Sequence, residues 1–222
     1  LPATPRRGER ICLSDASVNS PDGKCLASEL TFSVEGQCGD EMSSLIITGK
    51  TGSGKSSVAR VLHGIWQPGS GRVGIPSGLA TIPQSPLGPT DSLTLMGMLT
   101  YPNEIEAGTD EADVAAAVLL PLMQRLRVAY LVERNEQGWH AIKDWPTVLS
   151  LGEQQCLGVI RVMYHGCQWL LLDEAMSAMG EDVAAECYGM FNERGKNDTA
   201  AICRCETRSS VCQPTRVRSS DS

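Results

Sequence analysis

Residues 49–56 read Gly-Lys-Thr-Gly-Ser-Gly-Lys-Ser, and they constrain the fold more than any other segment of this chain of 222 residues. An apolar run, Leu45 to Ile47, precedes them, and apolar residues at helical spacing follow: Val58, Val61, Leu62 and Ile65. Glycines let successive backbone N–H groups point at phosphate oxygens, and the start of a helix adds the positive end of its dipole. The segment therefore predicts a phosphate-binding loop between a buried strand and a helix that ends near Gly64.

Within this loop, Lys55 is placed to reach the β- and γ-phosphates of a nucleotide, and the Ser56 hydroxyl is placed to ligate Mg²⁺. The structural alternative, a flexible Gly/Ser loop without a ligand, is disfavoured by the flanking strand and helix. We expect nucleotide contacts along the whole segment and at the next residue: Gly49, Lys50, Thr51, Gly52, Ser53, Gly54, Lys55, Ser56 and Ser57.

A second candidate segment is Leu170-Leu171-Leu172-Asp173-Glu174, an apolar run followed by two acids. At the carboxyl end of a buried strand, Asp173 can hold Mg²⁺ beside the phosphate loop. Glu174, one residue further on, is placed to polarise a water molecule for attack on the γ-phosphate. The structural alternative is that the two acids cap the helix that follows.

A third segment, Leu149-Ser150-Leu151-Gly152-Glu153-Gln154-Gln155, lies shortly before the Asp-Glu strand. The spacing of Ser150 and Glu153 predicts a capping box at the start of a helix. That structural role accounts for Ser150 and Glu153, but it leaves Gly152 and the position of the segment unexplained.

Apolar strands alternate with helical segments along the chain, which predicts an α/β fold with a parallel sheet covered on both faces. The middle, from about Ser92 to His165, is expected to be mostly helical. Between residues 67 and 90 the chain is rich in Pro, Gly and Ser, and only Leu79 to Ile82 predicts a strand there. Further strands are expected at residues 11–18, 30–34, 45–47, 169–172 and 199–203, and a helix at 182–194.

Composition excludes several classes of protein. Hydrophobic residues make up 41% of the chain and charged residues 20%, which supports a globular core. The net charge of −7 argues against a nucleic-acid partner. No apolar run is long enough to span a membrane. The nine cysteines are scattered, which favours reduced thiols in the cytosol, and the start at Leu1 predicts an excised piece of a longer polypeptide.

Taken in order, the motifs resemble those of ABC-transporter nucleotide-binding domains: the phosphate loop, Thr81-Ile82-Pro83-Gln84-Ser85-Pro86, the Leu-Ser-x-Gly-Glu-Gln element, and Leu-Leu-Asp-Glu-Ala-x-Ser-Ala. Ser-Pro-Asp-Gly-Lys, Thr-Tyr-Pro at 100–102 and Asp144-Trp145 are similar to one subgroup. That subgroup comprises the peroxisomal fatty acyl-CoA half-transporters and related bacterial half-transporters for peptides or vitamins. The resemblance covers roughly residues 11–188.

The resemblance implies a P-loop NTPase core with an N-terminal antiparallel part and an inserted helical subdomain. One ABC ATPase domain, 1–222, is expected, with the core at 1–84 and 168–222, the subdomain at 85–167, and a frayed tail at 207–222. It also implies residue roles: Gly49 to Ser56 form the Walker A loop, Asp173 is the Walker B acid and Glu174 the catalytic base. Gln84 corresponds to the Q-loop glutamine, which touches Mg²⁺ or the attacking water, and Ser150 and Gly152 to the signature that contacts a partner's γ-phosphate.

Three positions depart from the family pattern. No aromatic residue that could stack on adenine lies near Ser20. Gly180 stands where the D-loop has an aspartate. The switch histidine belongs near Glu206 or Thr207, and none of the three histidines lies there: His63, His140 and His165. His165 is expected instead to end the signature helix.

The function expected from the resemblance is Mg·ATP binding and hydrolysis that drives transport through a transmembrane domain outside this chain. Two such domains pair head to tail, at the cytosolic face of a membrane, for which a peroxisomal or other organelle membrane is preferred. A degenerate regulatory module that binds ATP, dimerises and scarcely hydrolyses it is the alternative; Gly180 and the missing histidine favour it, whereas Glu174, Gln84 and Ser150 oppose it. A soluble ABC protein of DNA repair or translation is disfavoured by the net charge and by Asp144-Trp145.

Overall fold

The structure, a computed structural model, describes residues 10–35, 43–50, 52–86, 93–195 and 201–206. Strands predominate up to residue 82 and helices from residue 95 to 165, where a one-turn 3₁₀ helix also lies at Gly138–His140. In chain order the elements are β1 (Arg10–Asn19), β2 (Cys25–Glu35), β3 (Ser43–Thr48), α1 (Lys55–Leu62), β4 (Ser70–Gly74), β5 (Leu79–Ile82), α2 (Leu95–Thr100), α3 (Asp110–Arg125), α4 (Tyr130–Glu133), α5 (Trp145–Val148), α6 (Leu151–His165), β6 (Trp169–Asp173), α7 (Glu181–Gly195) and β7 (Ala201–Glu206).

The N-terminal sheet is antiparallel and has the strand order β2-β1-β4. Apolar side chains of β1 recur at alternate positions, and Ile11 and Leu13 are each 1% exposed. Strand β4 was not expected, because Ser-Gly-Arg-Val-Gly has little apolar alternation. Its strand conformation comes from pairing with β1, where Val73 lies opposite Leu13.

The second sheet has the strand order β3-β7-β6-β5, and β7 pairs in parallel with both β3 and β6. Side chains Trp169 to Leu172 of β6 are all buried, as a strand covered on both faces requires. Strand β7 spans Ala201–Glu206 rather than the expected 199–203, so Glu206 is its last residue.

Helix α1 packs its apolar side chains into the core formed with the N-terminal sheet and β6. Val61 is 1% exposed and Leu62 is fully buried. The helix ends at Leu62, two residues before the end expected near Gly64, and the Ile65 side chain is 65% exposed although it follows at helical spacing in the sequence. The turn after the helix contains Gly64 in a left-handed conformation, which carries Ile65 off the helical spacing.

The middle of the chain, α2 to α6, is helical as expected, and side-chain caps begin three of its helices. Thr94 caps α2, Thr109 caps α3, and Ser150 caps α6. His165 is the last residue of α6, as expected. Among the described residues, no helix combines the length and the apolar character that a membrane crossing requires.

The chain divides into two compact units. Unit 1 comprises residues 1–81, 167–174 and 193–222, and unit 2 comprises 82–166 and 175–192. The expected frayed tail, 207–222, and Thr51 of the phosphate loop lie outside the described residues. The fold class is confirmed: the protein has an antiparallel N-terminal sheet, a second sheet with parallel pairs, and helices inserted between β5 and β6.

Candidate functional site

The phosphate loop in unit 1 begins where β3 ends and leads directly into α1. Gly52 and Gly54 have φ angles of 80° and 90°, a left-handed conformation that side chains with a Cβ rarely adopt. Gly54 caps α1, and its carbonyl accepts hydrogen bonds from the backbone N–H groups of Ser57 and Val58. The curl of the loop and the start of the helix are therefore set by glycines at these two positions.

The side chain of Lys55 lies within the curl of this loop. Its Nζ donates hydrogen bonds to the carbonyl oxygens of Gly49, at 3.1 Å, and Lys50, at 3.2 Å. The residue is only 7% exposed. The ammonium group is thus held by backbone oxygens of the loop. Ser53 is exposed in the loop, and Ser57 is buried in the first turn of α1.

The end of β6 lies beside this loop in unit 1. The Ser56 hydroxyl donates a 3.0 Å hydrogen bond to Oδ1 of Asp173. Two hard oxygen atoms therefore meet next to Lys55, and such atoms are the ligands that Mg²⁺ prefers. Among the described residues, no group of three or more His, Cys, Asp or Glu side chains is placed to hold a metal ion.

Glu174 follows Asp173 and has a φ angle of 48°. A left-handed glutamate is costly for the backbone, and strain of this kind clusters at functional sites. Because β6 ends at Asp173, the side chain of Glu174 does not continue the alternation of side-chain directions along the strand.

The register of β7 brings the predicted switch position to the same end of the second sheet. In the parallel pairing, Glu206 lies opposite Thr48 and Cys205 lies opposite Asp173. Since Thr48 immediately precedes the phosphate loop, the backbone of residue 206 lies at the edge where β3 and β6 end. Thr207, the other candidate position, lies outside the described residues.

In unit 2, Ser150 and Glu153 form the predicted capping box at the start of α6. The Ser150 N–H donates to Oε2 of Glu153 at 2.7 Å, and the Glu153 N–H donates to Oγ of Ser150 at 3.3 Å. The Ser150 hydroxyl also donates to Oε2, at 2.6 Å. The structural role predicted for these residues is thus confirmed.

The carboxylate of Glu153 is also held from α4, because the Tyr130 hydroxyl donates a short hydrogen bond to its Oε1. Burial acts to raise the pKa of Glu153, but the hydrogen bonds from Ser150 and Tyr130 outweigh it and the pKa is lowered. The same hydrogen bond raises the pKa of Tyr130 to about 12. The start of α6 therefore carries an ionised carboxylate at neutral pH.

The structure explains why a glycine occupies position 152, which the sequence alone did not. A Cβ at this position would lie 2.6 Å from the carbonyl oxygen of Ala178, which is closer than real Cβ contacts. The first turn of α6 therefore packs directly against the backbone of the segment that contains Gly180. Shortly after Gly180, Asp182 in the first turn of α7 forms a 2.5 Å ion pair with Arg127, which lies just after α3.

Gln84 lies just after β5, and its side chain is exposed. Its carbonyl oxygen accepts a 2.8 Å hydrogen bond from Nε2 of Gln155. Gln155 was not among the predicted site residues. It is a polar residue on the buried face of α6, one turn after Gly152 and Leu151, and that placement is the signal that could have drawn attention to it.

Comparison with known proteins identifies the family. A family model described as ABC transporter matches residues 39–177, more than half of the chain. ABC transporter D family member 1 of Arabidopsis thaliana is 32% identical over 210 residues, covering 83% of this chain and 15% of that protein. ATP-binding cassette sub-family D member 3 of Homo sapiens is 32% identical over 207 residues, covering 88% of this chain and 29% of that protein.

A solved structure of a bacterial Atm1-family ABC exporter with ATP bound matches with a TM-score of 0.69 at 19% identity. The match covers 94% of this chain and 36% of the exporter chain, and at this identity it shows the fold alone. The chain spans less than a third of the length of the two curated relatives. It belongs to the ABC transporter family, and what it carries is the nucleotide-binding domain of that family.

Proposed function

We propose that this chain binds and hydrolyses ATP, and that it powers substrate transport through a transmembrane domain outside the 222 residues. The observation that carries the proposal is the meeting of Lys55, Ser56 and Asp173 in unit 1, where an ammonium held by loop carbonyls adjoins two hydrogen-bonded oxygens. This is the arrangement that a triphosphate and its cation need.

ATP binding is assigned to the loop from Gly49 to Ser57. The backbone N–H groups of the loop and the amino end of α1 face the phosphates, and the Lys55 ammonium exchanges its carbonyl partners for β- and γ-phosphate oxygens. Both sets of partners are oxygen atoms, to which an ammonium group donates equally well.

Mg²⁺ fits the oxygen pair of Ser56 and Asp173. Its chemistry is to neutralise charge that develops on the phosphate oxygens. Burial raises the pKa of Asp173 in the metal-free protein, and a nearby dication would favour its ionised form. We assign Ser56 and Asp173 as ligands, with Gln84 as a further residue that touches the ion or the attacking water.

For hydrolysis, Glu174 acts as the general base that takes a proton from the attacking water. Ser150 and Gly152 serve the nucleotide of a second nucleotide-binding domain, since the start of α6 offers a hydroxyl and the positive end of a helix dipole to an anion. The Ser150 hydroxyl, which donates to Glu153 here, would then turn to a phosphate oxygen.

The partners proposed are a transmembrane domain, of the same or another chain, and a second nucleotide-binding domain. A nucleic-acid partner is not proposed, because the net charge is −7. The domain limits remain those expected from the sequence, a core at 1–84 and 168–222 with a helical subdomain at 85–167. We place the domain at the cytosolic face of an organelle membrane, the peroxisomal membrane first, on the similarity to D-family members.

The test is ATP binding by the Lys55→Ala variant, measured by titration calorimetry with Mg²⁺ present. Removing the ammonium leaves phosphate charge uncompensated, and we expect affinity to fall by about a hundredfold. Lys143→Ala is the control for loss of a lysine in the same chain, and it should bind as the wild type does. An unchanged affinity of Lys55→Ala would overturn the assignment of this loop.

A further inference from the structure

Gln155 is a buried polar side chain in unit 2 that the proposed mechanism does not use. It lies on the face of α6 that carries Cys156, Leu157, Val159 and Ile160 into the interior, and it is 0% exposed. An amide in such a place is costly unless all of its hydrogen-bonding groups have partners.

The partners of this amide come from two distant segments. Its Nε2 donates to the carbonyl oxygen of Gln84 at 2.8 Å and to Oγ of Ser177 at 3.3 Å. Its Oε1 accepts a 3.0 Å hydrogen bond from the backbone N–H of Ala178. A carbonyl can only accept and an amide N–H can only donate, so these neighbours require both halves of the glutamine side chain.

Gly152, one turn earlier in α6, adds a steric contact to the same segment, because the carbonyl of Ala178 lies where its Cβ would be. The segment 177–178 is therefore held at two points by the first two turns of α6. The Gln84 backbone is held to the same helix by the same amide.

We propose that Gln155 is a positioning residue that joins the signature helix α6, the Gln84 segment and the Ser177–Ala178 segment, so that these three move together when nucleotide binds. This inference rests on the proposed function, because the proposed function is what assigns Gln84 and Ser150 to nucleotide binding. Gln155 itself touches no nucleotide; it sets the backbone of residues that do.

The test compares Gln155→Met with Gln124→Met in the full chain. Methionine keeps the length and volume of glutamine but removes its hydrogen bonds. Gln124 is the matched control because it is an exposed glutamine of α3, a helix of the same unit, outside the proposed site. Gln155→Asn, a neutral amide that is too short to keep all three hydrogen bonds, serves if the methionine variant does not fold.

Three readouts separate positioning from a general loss of structure. For Gln155→Met we expect an ATP affinity within about twofold of wild type, a single-turnover rate of phosphate release lowered about tenfold or more, and faster hydrogen exchange at the Ala178 amide. In wild type, ATP should slow exchange of residues 84–86 and 177–180 together, and in Gln155→Met only one of the two segments should respond. Gln124→Met should behave as wild type in every readout.

Each outcome decides one proposal. If the wild-type chain binds no ATP, the proposed function fails. If it binds ATP and Gln155→Met matches Gln124→Met in rate and in the joint exchange response, the positioning role is overturned while the proposed function stands. A loss of affinity equal to the loss of rate would also overturn it, because it would indicate only a damaged fold.

Discussion

The Ser56 hydroxyl donates a 3.0 Å hydrogen bond to Oδ1 of Asp173, although 117 positions separate the two residues in the chain. Burial raises the pKa of Asp173, and the neighbouring Glu174 raises it further. The hydrogen bond from Ser56 and the cations Arg60 and Lys55 oppose this shift without cancelling it. Without a metal, ionisation of the Asp173 carboxyl therefore works against the stability of the fold.

The first prediction follows from that cost. Because folding raises the pKa of Asp173, the folded state favours the protonated carboxyl group. The stability that this group contributes is therefore fully present below the unfolded pKa and is lost as pH rises through the folded pKa. Asp173→Asn should therefore raise the thermal midpoint of the nucleotide-free protein, and the gain should increase with pH through that range. The variant should also lose the Mg²⁺-dependent part of ATP affinity.

Thermal melts at several pH values without Mg²⁺, and ATP titrations with and without it, measure both effects. Asp22→Asn is the control with the opposite sign, because the Ser20 hydrogen bond lowers the pKa of that exposed carboxyl. A nucleotide-free Asp173→Asn protein that is less stable than wild type at every pH would contradict the prediction.

A second prediction concerns two glycines in helices. Gly152→Ala places a Cβ 2.6 Å from the Ala178 carbonyl and should destabilise the protein by about 1–3 kcal/mol. At Gly189 in α7 a Cβ would meet nothing within 4 Å, so Gly189→Ala should stabilise it by about 0.5–1 kcal/mol. Urea denaturation of both variants gives the comparison. Equal effects in the two would show that the close approach at Gly152 relaxes at little cost.

A third prediction concerns assembly. If Ser150 and Gly152 bind a partner's nucleotide, Glu174→Gln should retain ATP and shift the isolated chain toward a dimer, since removal of the base blocks hydrolysis. Adding Ser150→Arg should prevent that shift by filling the anion site with a bulky side chain. Light scattering at saturating ATP distinguishes the two proteins. The assignment of the signature would not survive if both variants dimerised equally.

The fourth prediction concerns the end of β7, where residue 206 lies opposite Thr48. In the family a histidine near this position donates to the γ-phosphate, and such a donor is worth about a hundred- to a thousandfold in rate. We expect ATP to bind but turnover by a homodimer to be slow, and Glu206→His or Thr207→His to raise kcat. Phosphate release from the isolated chain and both variants measures this. Rapid wild-type turnover that neither variant improves would show that the switch position lies elsewhere.

Much of the fold could be predicted because its signals are local. The phosphate loop, the apolar β6 and the capping box at Ser150 are each contained in a few consecutive residues, and their chemistry depends on residue type and spacing. Where a strand depended on a distant partner, prediction failed: β4 was not expected from its sequence, and it forms because it pairs with the edge of β1.

The sequence predicts which residues bind phosphate, bind Mg²⁺ and act on water, because glycines, Lys55, Ser56, Asp173 and Glu174 occur in a recognisable pattern. The contacts of Gly152 and Gln155, in contrast, could be read only from the folded structure. Gly152 contacts the carbonyl of Ala178, which lies 26 positions later in the chain. Gln155 donates to the carbonyl of Gln84, which lies 71 positions earlier. No local spacing encodes such contacts, because they exist only once separate segments have packed and each buried polar group has found its partner.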